Sequence, residues 1–259
     1  MNIPEGVARQ YSAASNLRAR MQLHERFGVS AQPWMAWVMD QFALPAQARI
    51  LEVGCGVGKL WQENAHRLPP GWDVTLTDQS AGMLSQAQAN LAGAGHPFQF
   101  EQVDVQSLPY AGETFDAVVA NHMLYHVPDL PAALGEIRRV LKPRGALIAA
   151  TNGERHMVEL HELVERFAPE IASHRWREAF SLETGLALLA PFFADVERRR
   201  YTGGLRVTEA GPLVAYIMST ELIPTEQRAP MARFLEAELA SRGGMIEIQQ
   251  DTGLFRAMK

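Results

Sequence analysis

The sequence feature that most constrains the fold is residues 50–61, which read ILEVGCGVGKLW. Ile50, Leu51 and Val53 form a short apolar run with the β-branched residues expected of a buried strand. Glycines then alternate with single residues, and a helix-like pattern follows from Lys59. A strand that ends in a glycine-rich turn and opens a helix is how an α/β sheet receives a nucleotide-like ligand. The segment therefore predicts an α/β fold with a ligand-binding turn.

The spacing of the glycines separates three kinds of turn. A dinucleotide turn needs G-x-G-x-x-G, but the position three residues after Gly56 is Lys59. A phosphate-binding P-loop needs G-x-x-x-x-G-K-[ST], whose outer positions are here Val53 and Leu60. What remains is an acidic residue, Glu52, followed by alternating glycines, and this resembles motif I of the class I S-adenosylmethionine-dependent methyltransferases. A carboxylate there suits a ligand with an ammonium and a sulfonium, whereas it repels a pyrophosphate.

A second motif follows the next predicted strand, residues 73–77. Asp78 comes about 20 residues after the last glycine, where a carboxylate accepts ribose hydroxyls of adenosylmethionine or of NAD. The continuation D-x-S-x-x-M-L resembles the methyltransferase motif that runs along the cofactor, and it implies that Gln79 lies beside the cofactor and Met83 near the adenine. The alternative role for Asp78 is a helix N-cap, which Ser80 can supply instead.

Two further strand ends complete the resemblance. Asp104 and Val105 follow the third predicted strand, and the family's pattern implies that they meet the adenine amino group and a ring nitrogen; a surface turn is the alternative for Asp104. FDAVVA followed by Asn121 resembles the fourth motif, at the topological switch point of the sheet. Tyr11 and Arg20 lie on an N-terminal segment that resembles a lid, with a solvated helix face as the alternative. The implied cofactor-binding residues are Tyr11, Arg20, Glu52, Gly54, Cys55, Gly56, Asp78, Gln79, Met83, Asp104, Val105 and Asn121.

The residues after the fourth strand are the candidates for proton handling, because the transferred methyl group should point there. These candidates are His122, Tyr125 and His126, and a histidine can take a proton from a hydroxyl, phenol or activated carbon at neutral pH. Methyl transfer also proceeds by alignment alone, so packing and loop ordering remain alternatives for these residues. The chain lacks the [DN]-P-P-[YF] pattern of enzymes that methylate nucleobases or protein glutamine.

The motif order predicts the fold. The resemblance implies a Rossmann-like seven-stranded sheet in the order 3-2-1-4-5-7-6, with helices on both faces and an antiparallel last strand within 245–257. We expect one methyltransferase domain over 1–259, with a helical cap from 1–44, 153–180 and 208–242. Within the cap we expect Trp34 and Trp37 to be packing residues, and Pro224 and Pro230 to break the last helical region.

Composition limits the remaining functions. The formal net charge of −5 argues against a nucleic-acid surface, and one cysteine allows no internal disulfide. His156 and His161 are spaced too loosely for a convincing metal pair, so we expect no metal site. Neither a signal pattern nor a membrane span is evident, and we expect a cytoplasmic protein; a homodimer remains open.

These observations predict a methyltransferase that moves the methyl group of S-adenosylmethionine to an O, N or C atom of a small organic acceptor. The alternatives are a tRNA or other RNA methyltransferase and a non-catalytic adenosylmethionine-binding protein. A dehydrogenase is disfavoured by Lys59, which breaks the dinucleotide glycine pattern.

Overall fold

The computed structural model describes residues 14–171 and 179–259. A seven-stranded sheet runs in the order β3-β2-β1-β4-β5-β7-β6. Its strands are β1 (Gln47–Val53), β2 (Gly71–Asp78), β3 (Phe98–Gln102), β4 (Phe115–Asn121), β5 (Leu141–Asn152), β6 (Ala194–Val207) and β7 (Ile246–Met258). The first five pair in parallel, and β7 pairs antiparallel with both β5 and β6. The predicted sheet order and the antiparallel last strand are therefore confirmed.

Helices cover both faces of the sheet and one end of it. They are α1 (Ala14–Phe27), α2 (Trp34–Asp40), α3 (Lys59–Asn64), α4 (Ala81–Leu91), α5 (Leu130–Val140), α6 (Val158–Phe167), α7 (Gly185–Leu189), α8 (Ala210–Met218) and α9 (Arg228–Ser241). Short 3-10 turns lie at Ala65–Arg67, Leu124–His126, Pro169–Ile171 and Thr225–Gln227.

The apolar run of β1 is buried on both faces of the sheet. Leu51 and Val53 pack with α5 and its neighbours, whereas Ile50 packs on the opposite side with α3 and α4. A strand covered on both sides needs a continuous apolar run rather than strict alternation, which is the pattern read from the sequence. The two cores hold β1 in the centre of the sheet, so its carboxyl end lies between those of β2 and β4.

A separate hydrophobic core lies beyond the main sheet. It joins α1, α6, α8 and α9 to the distal part of β6 and to the start of β7, with Leu23, Leu163, Leu205, Leu213 and Leu235 almost fully buried. Gly28 after α1 pairs with Leu205, which fastens α1 to the edge strand. The boundaries 1–44, 153–180 and 208–242, and their assignment as the cap of a single domain, stay predictions.

One detail differs from the expectations for the second half of the chain. Pro230 does not break a helix; it lies in the first turn of α9, where the missing N–H has no intrahelical partner to lose. The edge strand β6 extends over Ala194–Val207 and pairs with β7 along most of its length.

The close contact of β6 with β7 predicts a steric limit at Gly253. A Cβ atom there would lie 2.2 Å from the carbonyl oxygen of Arg199 on β6. We expect Gly253→Ala to lower the free energy of unfolding by about 1–3 kcal/mol, because backbone atoms must move to accommodate it. Gly135→Ala in α5 is the matched control, since nothing lies within 4 Å of its added methyl and alanine favours helix. Urea unfolding measures both variants, and equal stability of the two would contradict the argument.

Candidate active site

The turn between β1 and α3 keeps an open space above its backbone. Gly54 and Gly56 have φ of 67° and 54°, a region that favours glycine. A Cβ atom on Gly54 would lie 2.9 Å from the Met123 side chain, whereas one on Gly56 would meet no atom within 4 Å. The backbone N–H of Cys55 donates to the Thr77 carbonyl at 2.8 Å and joins the turn to β2. Burial raises the pKa of the Cys55 thiol, which makes it a packing residue rather than a nucleophile.

Asp78 joins two of the predicted motifs. One of its carboxylate oxygens accepts the Gly56 N–H at 2.9 Å, and the other accepts the Ser80 N–H at 2.8 Å. The Ser80 hydroxyl accepts the Met83 N–H at 3.3 Å, so serine is the N-cap of α4, as expected. Burial raises the pKa of Asp78, and the two backbone N–H donors act in the opposite direction.

Glu52 is an acidic side chain inside the sheet. It is 2% exposed, and its carboxylate accepts the indole N–H of the fully buried Trp61 at 2.5 Å. Burial raises the pKa of Glu52 to about 8, the Trp61 hydrogen bond lowers it, and the nearby Asp78 raises it further. Glu52 therefore holds a proton at neutral pH until a cationic group arrives to favour its charged form.

A single large cavity of about 1810 Å³ extends from the carboxyl ends of the strands to α1, α6 and α8. A site for one small ligand usually occupies roughly 300–1,000 Å³, so this cavity has room for two. It brings together most of the predicted site residues: Arg20, Glu52, Gly54, Cys55, Gly56, Asp78, Gln79, Met83, Val105, Asn121, His122, Tyr125 and His126.

Asp104 is placed differently from the other predicted residues. Its carboxylate accepts the Gln106 backbone N–H at 2.9 Å and the Gln106 side-chain amide at 3.1 Å, and it does not line the cavity. The neighbouring Val105 does line the cavity, so this loop reaches the site without the aspartate. Tyr11 lies outside the described residues.

Arg20 connects two helices above the cavity. Its guanidinium donates to the Ser219 hydroxyl at 3.0 Å and to the Ser219 carbonyl at 2.8 Å, which joins α1 to the end of α8. The Arg20 side chain lines the cavity, and its hydrogen bonds to Ser219 hold α1 and α8 together above the cavity.

The end of β4 carries the three candidates for proton handling. His122 has φ of 55°, an uncommon conformation for a non-glycine residue, and its backbone N–H donates to the Ala150 carbonyl at 3.1 Å. The rings of Tyr125 and His126 lie 4.4 Å apart, and those of His122 and Tyr125 lie 6.4 Å apart. Backbone strain of this kind is concentrated at functional sites.

The cavity also contains residues that the motifs did not indicate. His24 on α1 and His156 before α6 stack with ring centroids 6.2 Å apart, and both line the cavity with His161. Burial lowers the pKa of each of His24, His122, His126 and His161 to about 4, and that of His156 well below its usual value. His24, His122 and His156 come from three separate parts of the chain, so no local spacing in the sequence could have grouped these three imidazoles.

Trp34 combines the expected packing with a place in the site. Its ring packs against Trp37 and Tyr201 with centroids 5.3 and 5.2 Å away, and against His122 at 5.3 Å. Trp34 also lines the cavity, whereas Trp37 does not. The buried Trp34 Nε1, Asn121 Oδ1 and His156 Nδ1 have no hydrogen-bond partner among the described residues. All three residues line the cavity, so a ligand bound there is a source of the partners that buried polar atoms normally have.

Metal sites and membrane-spanning helices can be assessed over the described ranges of the chain. There, no group of three or more histidine, cysteine, aspartate or glutamate side chains is arranged to hold a metal ion. No helix in the same part of the chain has the length and apolar character needed to cross a membrane.

Parts of the chain are similar to known methyltransferases. Residues 51–149 match the family model described as a methyltransferase domain. A malonyl-[acyl-carrier protein] O-methyltransferase of Enterobacter lignolyticus is 31% identical over 156 residues, 58% of this chain and 58% of that protein. A ubiquinone/menaquinone biosynthesis C-methyltransferase of Desulfotalea psychrophila is 34% identical over 117 residues, 45% of this chain and 46% of that protein. The chain thus spans about half the length of these curated relatives.

A solved structure supports the same fold over the whole chain. The phosphoethanolamine N-methyltransferase 2 of Haemonchus contortus, determined in complex with S-adenosyl-L-methionine, superposes with a TM-score of 0.64 and 17% sequence identity. The match covers 100% of this chain and 60% of that one. At this identity the likeness concerns the fold alone.

The raised pKa of Glu52 predicts a pH-dependent stability in the absence of ligand. The ordinary pKa of a glutamate side chain is 4.5 and the pKa of Glu52 in the folded state is about 8, so between these pH values the folded state holds a proton that the unfolded state has released. The stability that Glu52 contributes is therefore lost as the pH rises through this window. We expect the stability of Glu52→Gln relative to wild type to increase by roughly 2 kcal/mol or more from pH 5 to pH 8.5. Urea unfolding at several pH values measures it, and parallel curves for the two proteins would contradict it.

Proposed function

We propose that this chain, whose residues 51–149 form a class I S-adenosylmethionine-dependent methyltransferase domain, transfers the methyl group of S-adenosylmethionine to an O, N or C atom of a small organic acceptor. The observation that carries the proposal is that one cavity extends from the β1 turn, Asp78 and Asn121 to the space under α1, α6 and α8. One connected space allows a cofactor at the strand ends and an acceptor beside it.

The residues of the turn fit the cofactor chemically. Asp78 uses each carboxylate oxygen for one backbone N–H, which leaves lone pairs to accept the ribose hydroxyls. The open space over Gly56 allows the cofactor to approach the protein backbone closely. Glu52, in its charged form, complements the ammonium and sulfonium groups of the cofactor. Met83 and Val105 supply an apolar surface for the adenine.

The bound cofactor supplies an electrophilic methyl group, and the protein supplies alignment and a place for a proton. His122, Tyr125 and His126 lie at the end of β4, next to the proposed methyl position. Burial lowers the pKa values of His122 and His126 to about 4. Both imidazoles are therefore neutral at pH 7, and each has a lone pair that can accept a proton. Their assignment as proton acceptors remains part of the proposal.

The names of the relatives do not agree on the atom that is methylated. One is named for C-methylation and one for O-methylation. A tRNA or other RNA acceptor is disfavoured by the formal net charge of −5, since RNA binding relies on cationic surfaces. A non-catalytic adenosylmethionine-binding protein is distinguished by cofactor binding without formation of S-adenosylhomocysteine. Cytoplasmic location and a homodimer remain predictions.

The role of Asp78 gives a direct test. We expect Asp78→Ala to weaken the binding of S-adenosylhomocysteine at least tenfold, because the ribose loses its carboxylate partner and the Gly56 N–H loses its acceptor. Asp73→Ala is the matched control: Asp73 lies on the same strand but pairs with Arg49 and Gln99, and it does not line the cavity. Isothermal titration calorimetry measures both. Absence of binding by the wild type, or equal affinities of the two variants, would overturn the proposal.

A further inference from the structure

The acceptor side of the cavity is lined by flat rings. Trp34 packs edge-on against Tyr201 and close to His122, while His24 lies 6.2 Å from both His156 and Tyr216. All of these residues line the cavity, and they come from both sides of it. Such a lining offers faces and edges for a planar ring, which gains both buried apolar area and ring contacts.

The cations on this side are already engaged. The cations among the described lining residues are Arg20 and Lys59. Lys59 forms salt bridges with Glu25 and Glu63, and Arg20 is bonded to Ser219. The imidazoles are neutral at pH 7, because burial lowers their pKa values. A carboxylate or phosphate on the acceptor would find no available counter-charge in the described lining.

A donor and an acceptor that lack a hydrogen-bond partner among the described residues belong to the corner where α2 meets the end of β4. Trp34 Nε1 can only donate, and Asn121 Oδ1 can only accept. The corner is defined by two contacts between α2 and the end of β4: the Asn121 amide nitrogen lies 3.8 Å from Met35 Sδ, and the rings of Trp34 and His122 lie 5.3 Å apart. A hydroxyl group satisfies both atoms, because it donates one hydrogen bond and accepts others. A carboxylate cannot donate to Asn121, and an ammonium cannot accept from Trp34.

We propose that this corner binds an uncharged aromatic acceptor through a ring hydroxyl, which accepts from Trp34 Nε1 and donates to Asn121 Oδ1. This inference rests on the proposed function and narrows its acceptor class. It places the Asn121 amide oxygen toward the acceptor, whereas the motif resemblance assigned the residue to the cofactor. Trp34 becomes a specificity residue, a role that its packing alone did not indicate.

The corresponding transfer is balanced within these groups. The hydroxyl oxygen forms a bond to the methyl carbon while the carbon–sulfur bond breaks, and that electron pair remains on sulfur to give a neutral thioether. The hydroxyl proton leaves its hydrogen bond to Asn121 Oδ1 as the oxygen is methylated, and it passes to a neutral imidazole. His122 is the assigned acceptor of the proton because its ring packs against Trp34 at the same corner.

The test uses three biphenyls that differ in one group: p-phenylphenol, p-phenylbenzoate and p-phenylbenzylammonium. Each is titrated by calorimetry at pH 7.5 into the protein saturated with S-adenosylhomocysteine. We expect p-phenylphenol to bind at least tenfold more tightly than the other two. Tighter or equal binding of the carboxylate or the ammonium, or no binding of p-phenylphenol, would overturn the assignment.

A pair of variants tests the hydroxyl contact itself. Trp34→Phe keeps a ring but removes the N–H, and we expect it to weaken p-phenylphenol binding by about tenfold. Trp37→Phe changes the stacked neighbour that does not line the cavity, and its affinity should stay within about twofold of wild type. Equal effects of the two variants would contradict the proposal.

Two controls separate the possible failures. Unsubstituted biphenyl should bind Trp34→Phe as it binds wild type, which shows that the variant retains its ring pocket; a parallel loss of biphenyl binding would assign Trp34 a packing role only and overturn the proposal. Titration of S-adenosylhomocysteine alone comes first. Its failure overturns the proposed function, whereas its success without p-phenylphenol binding overturns only the acceptor class.

Discussion

The hydrogen bond from the Gly56 N–H to the Asp78 carboxylate is the contact on which the site depends. It joins the turn after β1 to the end of β2, and the Cys55 bond to Thr77 reinforces the same junction. Because parallel strands place their carboxyl ends at one edge, β4 adds Asn121 to this junction. The cavity opens where these three strand ends meet, so the sheet order determines where ligands can lie.

Burial then sets the electrostatics of the cavity. Removing Glu52 and the imidazoles from water disfavours their charged forms, so the pKa of Glu52 rises and the pKa values of the histidines fall. Glu52 and these imidazoles consequently favour their uncharged forms, while Asp78 and the Lys59 salt bridges also line the cavity. This arrangement suits chemistry in which a cationic methyl donor loses its charge during transfer, because little countercharge then needs to be reorganised.

The core of the fold was predictable because each of its elements has a recognisable local sequence pattern. Ile50–Val53 reads as a strand, the glycines as a turn and Ser80 as a helix cap, and each is found where the pattern places it. Pro230 was misread, because a proline in the first helical turn and one that breaks a helix look the same in sequence. The adenine contact implied for Asp104 stays a prediction; its carboxylate accepts hydrogen bonds from Gln106, a local contact that the motif does not specify.

The sequence by itself determined the sheet order, the resemblance to methyltransferases and a set of candidate residues, most of which line the cavity, since motifs follow strands at fixed spacings. Only the tertiary structure decided the lining of the cavity away from these motifs. Trp34 and His24 lie on two helices and His156 lies before a third; α2 brings Trp34 to His122, and α1 brings His24 to His156. Likewise, an unpaired Trp34 N–H or Asn121 carbonyl becomes visible only when every neighbouring partner has been placed.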